Sequence, residues 1–285
     1  MIGNHPAPAQ GSPTDSIEHW RRFPPLRNAP CDFNGKLLAP YVAVATAHPD
    51  DETIGCGAFL CATSASAVIV VTDGSPRNPA DAARLGFTSA DAYAQARFAE
   101  MRTVLQIAGI SDGQLIALGL RDQDVAREMI PLARRLAEIF TSLNSHIVLT
   151  HAYEGGHPDH DATALAVHLA ARRLAKGGHE LDIYEMPFYR LDGDRPVLQS
   201  FAPGAAQAVT ILLGPEERER KHRMMQSFVT QKSVLAPIGI DAERFRPALH
   251  DFSELPNGGN LLYERHDWGM TGERWLSLAR DAMAS

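Results

Sequence analysis

The chain has 285 residues, 45% hydrophobic and 21% charged, which excludes wholesale disorder and fits one or two folded domains. Its 27 Lys+Arg against 34 Asp+Glu leave a net charge of −7, with no lysine-rich run to offset it, so no nucleic-acid partner is expected. Cys31, Cys56 and Cys61 have no zinc-ribbon spacing and give no disulfide framework; Cys56 and Cys61 sit in apolar sequence and read as small buried hydrophobes.

The first residues carry neither a basic nor an apolar leader region, and no apolar stretch approaches the roughly 20 residues of a membrane span. The expectation is a cytoplasmic protein without an integral membrane segment. Residues 1–35 hold six prolines and little periodicity, so they read as an arm over the domain. Residues 36–285 then form a single α/β domain.

From there strands and helices alternate. The run 41–47 is apolar on both sides of the chain, as in a strand covered on both faces, and similar runs follow at 67–72, 115–118, 146–150, 181–186 and 208–213. Helical patterns occupy 53–64, 91–108, 129–143, 159–176 and 216–231, and a last helix lies around 273–283. After residue 232 the pattern otherwise dissolves. This alternation predicts a Rossmann-like α/β fold, a mostly parallel sheet with helices on both faces in a three-layer sandwich.

Two segments concentrate the chemistry: His48-Pro-Asp50-Asp51-Glu52 after the first strand, and His157-Pro-Asp-His160-Asp161 shortly after the fourth. In a sheet of order 3-2-1-4-5 the first and fourth strands are neighbours, and ligands bind at their carboxyl ends where the connections diverge. The two turns then meet, although over a hundred residues separate them. Two histidines and a carboxylate gathered there make a three-ligand set with room for water, the arrangement of a catalytic zinc centre. The three-residue offset of His48 and Asp51 lets both face one point, and His157 and His160 repeat it. Pro49 and Pro158 each fit the first position of a helix. Asp50 stands beside Asp51 without being forced to bind metal.

This pair of motifs resembles the signature of the LmbE/PIG-L superfamily of zinc-dependent N-acetylglucosaminyl deacetylases. The resemblance runs over roughly residues 38–232. It takes in Thr72-Asp-Gly74, Arg97-x-x-Glu100 and Gly119-Leu-Arg-Asp122, and Lys221…Phe228-x-Thr230-Gln231 with Phe228 and Thr230 departing from the usual residues. It implies an LmbE-like catalytic domain in which His48, Asp51 and His160 hold the metal, zinc or else Fe2+ or another divalent ion. It further implies Asp50 as general base, His157 as oxyanion stabiliser or proton donor, and Asp122 as the carboxylate orienting His157. Where mycothiol-pathway members often carry a tyrosine, Gly155 stands here, with Tyr153 two positions away.

The chemistry of amide hydrolysis agrees with these roles. A metal-bound water is a nucleophile near neutral pH, an unligated carboxylate accepts its proton, and a cationic histidine kept so by Asp122 binds the oxyanion and protonates the amine. The expected partner is an N-acetyl amino-sugar small molecule or glycoconjugate, and a homo-oligomer is compatible with the chain. Rival readings are an amidase acting on a sugar–thiol conjugate, a non-haem iron oxygenase with the same facial triad, and a non-catalytic metal- or glycan-binding module. The spare Asp50 and His157 weigh against the last two.

Blander readings suit other residues. His151 and His168 are expected to be structural, and Arg97 with Glu100 an ion pair supporting the site. Arg77 is a loop arginine or a clamp on a substrate oxygen. Trp20, Trp268 and Trp275 pack the terminal arms or stack on a sugar. Gly55-x-Gly57 lacks the third glycine of a dinucleotide fingerprint and reads as close helix–sheet packing.

Overall fold

The computed structural model describes residues 17–64, 66–76, 78–203, 207–248 and 250–285. Its strands in chain order are β1 (Leu37–Leu38), β2 (Val42–Thr46), β3 (Thr63–Ser64), β4 (Ala67–Pro76), β5 (Leu115–Asp122) and β6 (Ile147–His151). They continue as β7 (Asp182–Met186), β8 (Tyr189–Asp192), β9 (Arg195–Leu198), β10 (Val209–Leu212) and β11 (Ala242–Pro247). The helices are α1 (Asp51–Ala62), α2 (Ala80–Arg84), α3 (Ala90–Ala108), α4 (Met129–Ser142), α5 (Pro158–Ala175), α6 (Pro215–Gln226), α7 (Lys232–Leu235) and α8 (Gly272–Ala284).

Seven strands form one sheet in the order β10-β11-β7-β6-β2-β4-β5. The five from β7 to β5 run parallel, and they are the expected 3-2-1-4-5 arrangement. The three-layer sandwich follows from β2, whose residues are all buried. Val42 and Val44 enter one core with Phe59 of α1, Met101 of α3 and Met224 of α6. Ala43 and Ala45 enter a second with Leu136 of α4, Leu165 of α5 and Trp275 of α8. Alternate side chains of one strand thus feed two cores.

Several expectations need correction. Strand β11 lies in the segment read as patternless, antiparallel to both β7 and β10. Charged letters hid it: its buried Glu243 and Arg246 are each matched by an opposite charge, Lys221 and Glu185. Pairing lets charge into a covered strand, where a hydropathy pattern finds none. The helix expected over 216–231 stops at Gln226, and a 3-10 turn (Val229–Gln231) and α7 follow. Helix α1 starts at Asp51 with Asp50 as its N-cap, so Pro49 precedes the helix, whereas Pro158 does open α5.

Every residue of α1 is buried, and its backbone breaks at Cys56 (φ −147°, ψ 29°). The Glu243 carboxylate accepts from the N–H groups of Ala58 and Phe59 at 2.7 and 3.0 Å, and Lys221 Nζ donates to the Ile54 carbonyl at 2.9 Å and to Glu243. Side chains therefore satisfy backbone groups around the break, which gives Lys221 a structural role. Gly55 is explained by packing: a Cβ there would sit 2.8 Å from Met186 Sδ. The described part of the N-terminal arm joins the core, since Trp20, Phe23 and Leu26 are fully buried and Phe23 stacks on Phe245 at 4.6 Å. Among the described residues no helix is long and apolar enough to cross a membrane.

Candidate active site

Strands β2 and β6 pair directly, so the turns that leave their carboxyl ends lie side by side. The first turn is held closed by the His48 N–H, which donates to Asp51 Oδ2 at 2.7 Å. His48 Nδ1 lies 3.2 Å from Asp51 Oδ2 and 3.2 Å from His160 Nε2, and His160 Nε2 lies 3.3 Å from Asp51 Oδ1. The three side chains proposed as ligands on sequence grounds are thus brought into mutual contact. Three sets bring one donor atom from each residue within 4.8 Å of the others: His48, His157 and His160; Asp51, His151 and His160; His48, Asp122 and Asp159.

Asp50 is held apart from this cluster. Its backbone has φ 129°, a conformation few L-residues adopt, stabilised where the Asp50 carbonyl accepts from the Thr53 and Ile54 N–H groups, each at 3.0 Å. Its carboxylate accepts from Arg97 Nη2 at 3.0 Å, and the same nitrogen donates to the Pro49 carbonyl. Burial pushes the Asp50 carboxyl up to about 8, against the pull of Arg97. Gly74, with φ 68°, leaves space for the Arg97 guanidinium, which a Cβ would meet at 2.7 Å. Arg97 is therefore paired with Asp50 and not with Glu100. The Glu100 carboxylate accepts from the Thr230 N–H and hydroxyl at 3.0 and 2.6 Å, tying α3 to the turn before α7.

The second turn places His157 at the N-cap of α5, where its Nδ1 accepts from the Asp159 N–H at 3.1 Å. The expected partnership of Asp122 with His157 is loose: Asp122 Oδ1 lies 3.9 Å from His157 Nε2 but 3.2 Å from His48 Nε2. Burial and the neighbouring His48 also push the His157 imidazole well below the usual range, the reverse of the cation expected from the sequence. Burial opposes charge on His48 as well, but Asp122, Asp159 and Asp51 outweigh it and hold that imidazole well above its usual value.

Asp159 escaped the sequence reading although it sits inside the second motif. Its carboxylate accepts from the N–H groups of Gln123 and Val125 at 2.6 and 3.1 Å and lies 3.4 Å from His48 Nε2, fastening the loop after Asp122 to both turns. His151 was expected to be structural. Its Nε2 accepts from the Ala47 N–H at 2.8 Å, and its ring stacks on His160 at 3.9 Å. His151 thus supports His160 while its Nε2 is occupied by backbone.

Tyr153 turns away, its hydroxyl donating to the Glu254 carbonyl at 2.9 Å and its ring lying 5.2 Å from that of Trp275. The tyrosine nearer the site is Tyr189, with its ring 5.2 Å from His160. The preceding Gly156 permits this approach, since a Cβ there would lie 2.0 Å from the Tyr189 carbonyl. A tyrosine on a later hairpin leaves no signal near either motif. Arg77 lies outside the described residues.

Residues 43–171 match the family model described as PIG-L, GlcNAc-PI de-N-acetylase. The resemblance expected from the two turns is therefore borne out over that segment. A 1D-myo-inositol 2-acetamido-2-deoxy-alpha-D-glucopyranoside deacetylase of Kineococcus radiotolerans is 27% identical over 164 residues. That match covers 46% of this chain and 45% of the relative, so the chain spans about half the length of the curated relative it matches. Among solved structures, the zinc-inhibited form of a teicoplanin deacetylase aligns with a TM-score of 0.55 at 15% identity, over 74% of this chain and 98% of that one. The N,N'-diacetylchitobiose deacetylase from Pyrococcus horikoshii aligns with a TM-score of 0.52 at 16% identity, over 85% and 93% of the two chains. These structural likenesses show a shared fold.

Proposed function

We propose that the protein is a metal-dependent hydrolase that removes the acetyl group from an N-acetylated amino sugar of the GlcNAc type. One observation carries the reading: His48, Asp51 and His160 lie within 3.2–3.3 Å of one another, with a further carboxylate, Asp50, beside them and outside that set. The donor set suits a divalent ion on its chemistry, two imidazoles and one carboxylate. It suits one on its dimensions too. Ligands roughly 2.0–2.1 Å from a tetrahedral centre stand about 3.3 Å apart; the two imidazole nitrogens are 3.2 Å apart, with Asp51 Oδ2 3.2 Å from His48 and Asp51 Oδ1 3.3 Å from His160. Zinc is the proposed ion.

Bound there, such an ion supplies a water of pKa about 7 and polarises the acyl oxygen. Asp50, oriented by Arg97, takes the water proton. His157 uses the N–H at Nε2, the nitrogen not engaged by the Asp159 N–H, to donate a hydrogen bond to the oxyanion, and the proton taken by Asp50 passes to the departing amine. Asp122 and Asp159 hold the far nitrogen of His48, which fixes the direction of Nδ1. The names of the relatives support acetamido sugars as the substrate class, and we take residues 36–285 as the catalytic unit.

The test is metal analysis of the purified protein together with an acetate and amine assay over a panel of N-acetyl sugars. One divalent ion per chain and acetate released in step with free amine are expected. Absence of both, after loading with zinc or ferrous ion, refutes the reading.

A further inference from the structure

Of the three tryptophans, Trp20 and Trp275 are fully buried in the two cores, whereas Trp268 is only partly covered. Its indole ring lies 4.5 Å from that of His157 on one side of the site and 4.3 Å from that of exposed His266, nearly parallel to it. Trp268 also lines a cavity of about 400 Å3 with Gln123, Asp124, Arg127 and Asp267. Gln123 directly follows Asp122, so this cavity opens against the His157 side of the site. Its size falls within the roughly 300–1,000 Å3 of small-molecule sites.

The lining divides by chemistry. Trp268 is its aromatic member, and that ring links the cavity to His157 of the site. The polar members are the carboxylates of Asp124 and Asp267, the amides of Asn78 and Gln123, and the Arg127 guanidinium, which is engaged by Asp124 at 2.8 Å and by the Gln123 carbonyl at 3.2 Å. Two carboxylates against one already paired guanidinium disfavour an anionic ligand. A pyranose has an apolar face of C–H groups and a rim of hydroxyls, which matches an indole among hydrogen-bonding side chains.

We infer that this cavity is the subsite for the ring on the amine side of the scissile amide, and that Trp268 and Asp267 set its preference for a neutral polyhydroxylated ring over a phosphorylated one. The inference rests on the deacetylase reading above and deepens it. Trp268 supplies the apolar contact and Asp267, at the exposed rim, accepts from a ring hydroxyl. Neither performs the chemistry.

The metal-loaded full-length protein is assayed on N-acetylglucosamine and on its 6-phosphate. The neutral sugar is expected to have a kcat/KM at least tenfold higher. Trp268→Ala is expected to raise KM for the neutral sugar roughly tenfold with kcat within about threefold, and Trp268→Phe to restore most of the loss. Asp267→Ala is expected to raise KM severalfold with kcat unchanged. The inference is overturned by equal use of both sugars, by unchanged KM in both alanine variants, or by a fall in kcat alone, which would make Trp268 a mere support of His157. If no acetamido sugar is turned over, the hydrolase reading fails separately, and titration with glucosamine decides the subsite. A saturable change in tryptophan emission that Trp268→Phe abolishes sustains it; an unchanged emission removes it.

Discussion

The two His-Pro-Asp turns look alike in sequence and differ in the chain geometry that carries them. In the second, the helix begins at Pro158 and His157 caps it with ordinary extended backbone. In the first, the helix begins two residues later, at Asp51, and Asp50 caps it at φ 129°. The fourth residues, Asp51 and His160, meet at 3.3 Å in both cases. The third residues part company: Asp159 is used up on backbone N–H groups and His48, while Asp50 is left to Arg97. A shift of helix register converts a repeated four-residue phrase into one structural carboxylate and one available for chemistry. The unusual backbone, worth roughly 1–3 kcal/mol of strain, falls at the residue proposed to do the proton transfer.

The contrast breaks most completely at the shared fourth position. His160→Ala is expected to lose the bound metal and at least about 10³-fold of activity, seen together in metal content and acetate release. Asp50→Asn is expected to keep the metal and lose roughly 10²–10⁴-fold in kcat with little change in KM. A variant that loses metal, or one that keeps full kcat, would erase the proposed distinction between Asp50 and Asp51.

The helices behind the turns differ as well. No break is found in α5, but α1 is broken at Cys56 and leans on the fully buried Lys221–Glu243 pair. Lys221→Met strands a buried carboxylate and is expected to cost about 3 kcal/mol of stability, a fall of roughly 6–12 °C in Tm. An unchanged Tm would show that the break supports itself. A smaller effect tests the structural carboxylate: Asp159→Asn is expected to cost roughly 10–100-fold in metal affinity, because His48 loses an orienting acceptor. A loss confined to kcat, with affinity intact, would place Asp159 in the proton path with Asp50.

The parallel half of the sheet and the meeting of the two turns were legible because each depends on local signals. Unbroken apolar runs mark covered strands, and three-residue offsets mark turns entering helices. What stayed hidden depends on pairing at a distance. Glu243 and Arg246 disguise β11 until Lys221 and Glu185 stand opposite them. Arg97 reads as the partner of Glu100, one helical turn away, until the fold brings Asp50 to it across 47 positions. The helix register that separates Asp50 from Asp159 is likewise invisible in letters, since both follow a His-Pro pair.

In the far part of α5, His168 packs its ring 5.0 Å from that of Phe252. Burial pushes this imidazole down to about 4 from an ordinary 6.5, His250 adds repulsion, and Glu185 opposes both. The sign follows from proton counts. Below 6.5 the unfolded chain takes up a proton that the folded chain refuses until about 4, so stability is full above 6.5 and falls as pH drops through that window. At pH 5 the loss is about 1–2 kcal/mol. His168→Leu keeps an apolar side chain against Phe252 and has no proton to take up. The variant is therefore expected to lose less Tm than the parent between pH 7 and pH 5, by a few degrees, with no gain at pH 7 from this source. Parallel acid losses in the two proteins would show that His168 is not the source of the acid sensitivity.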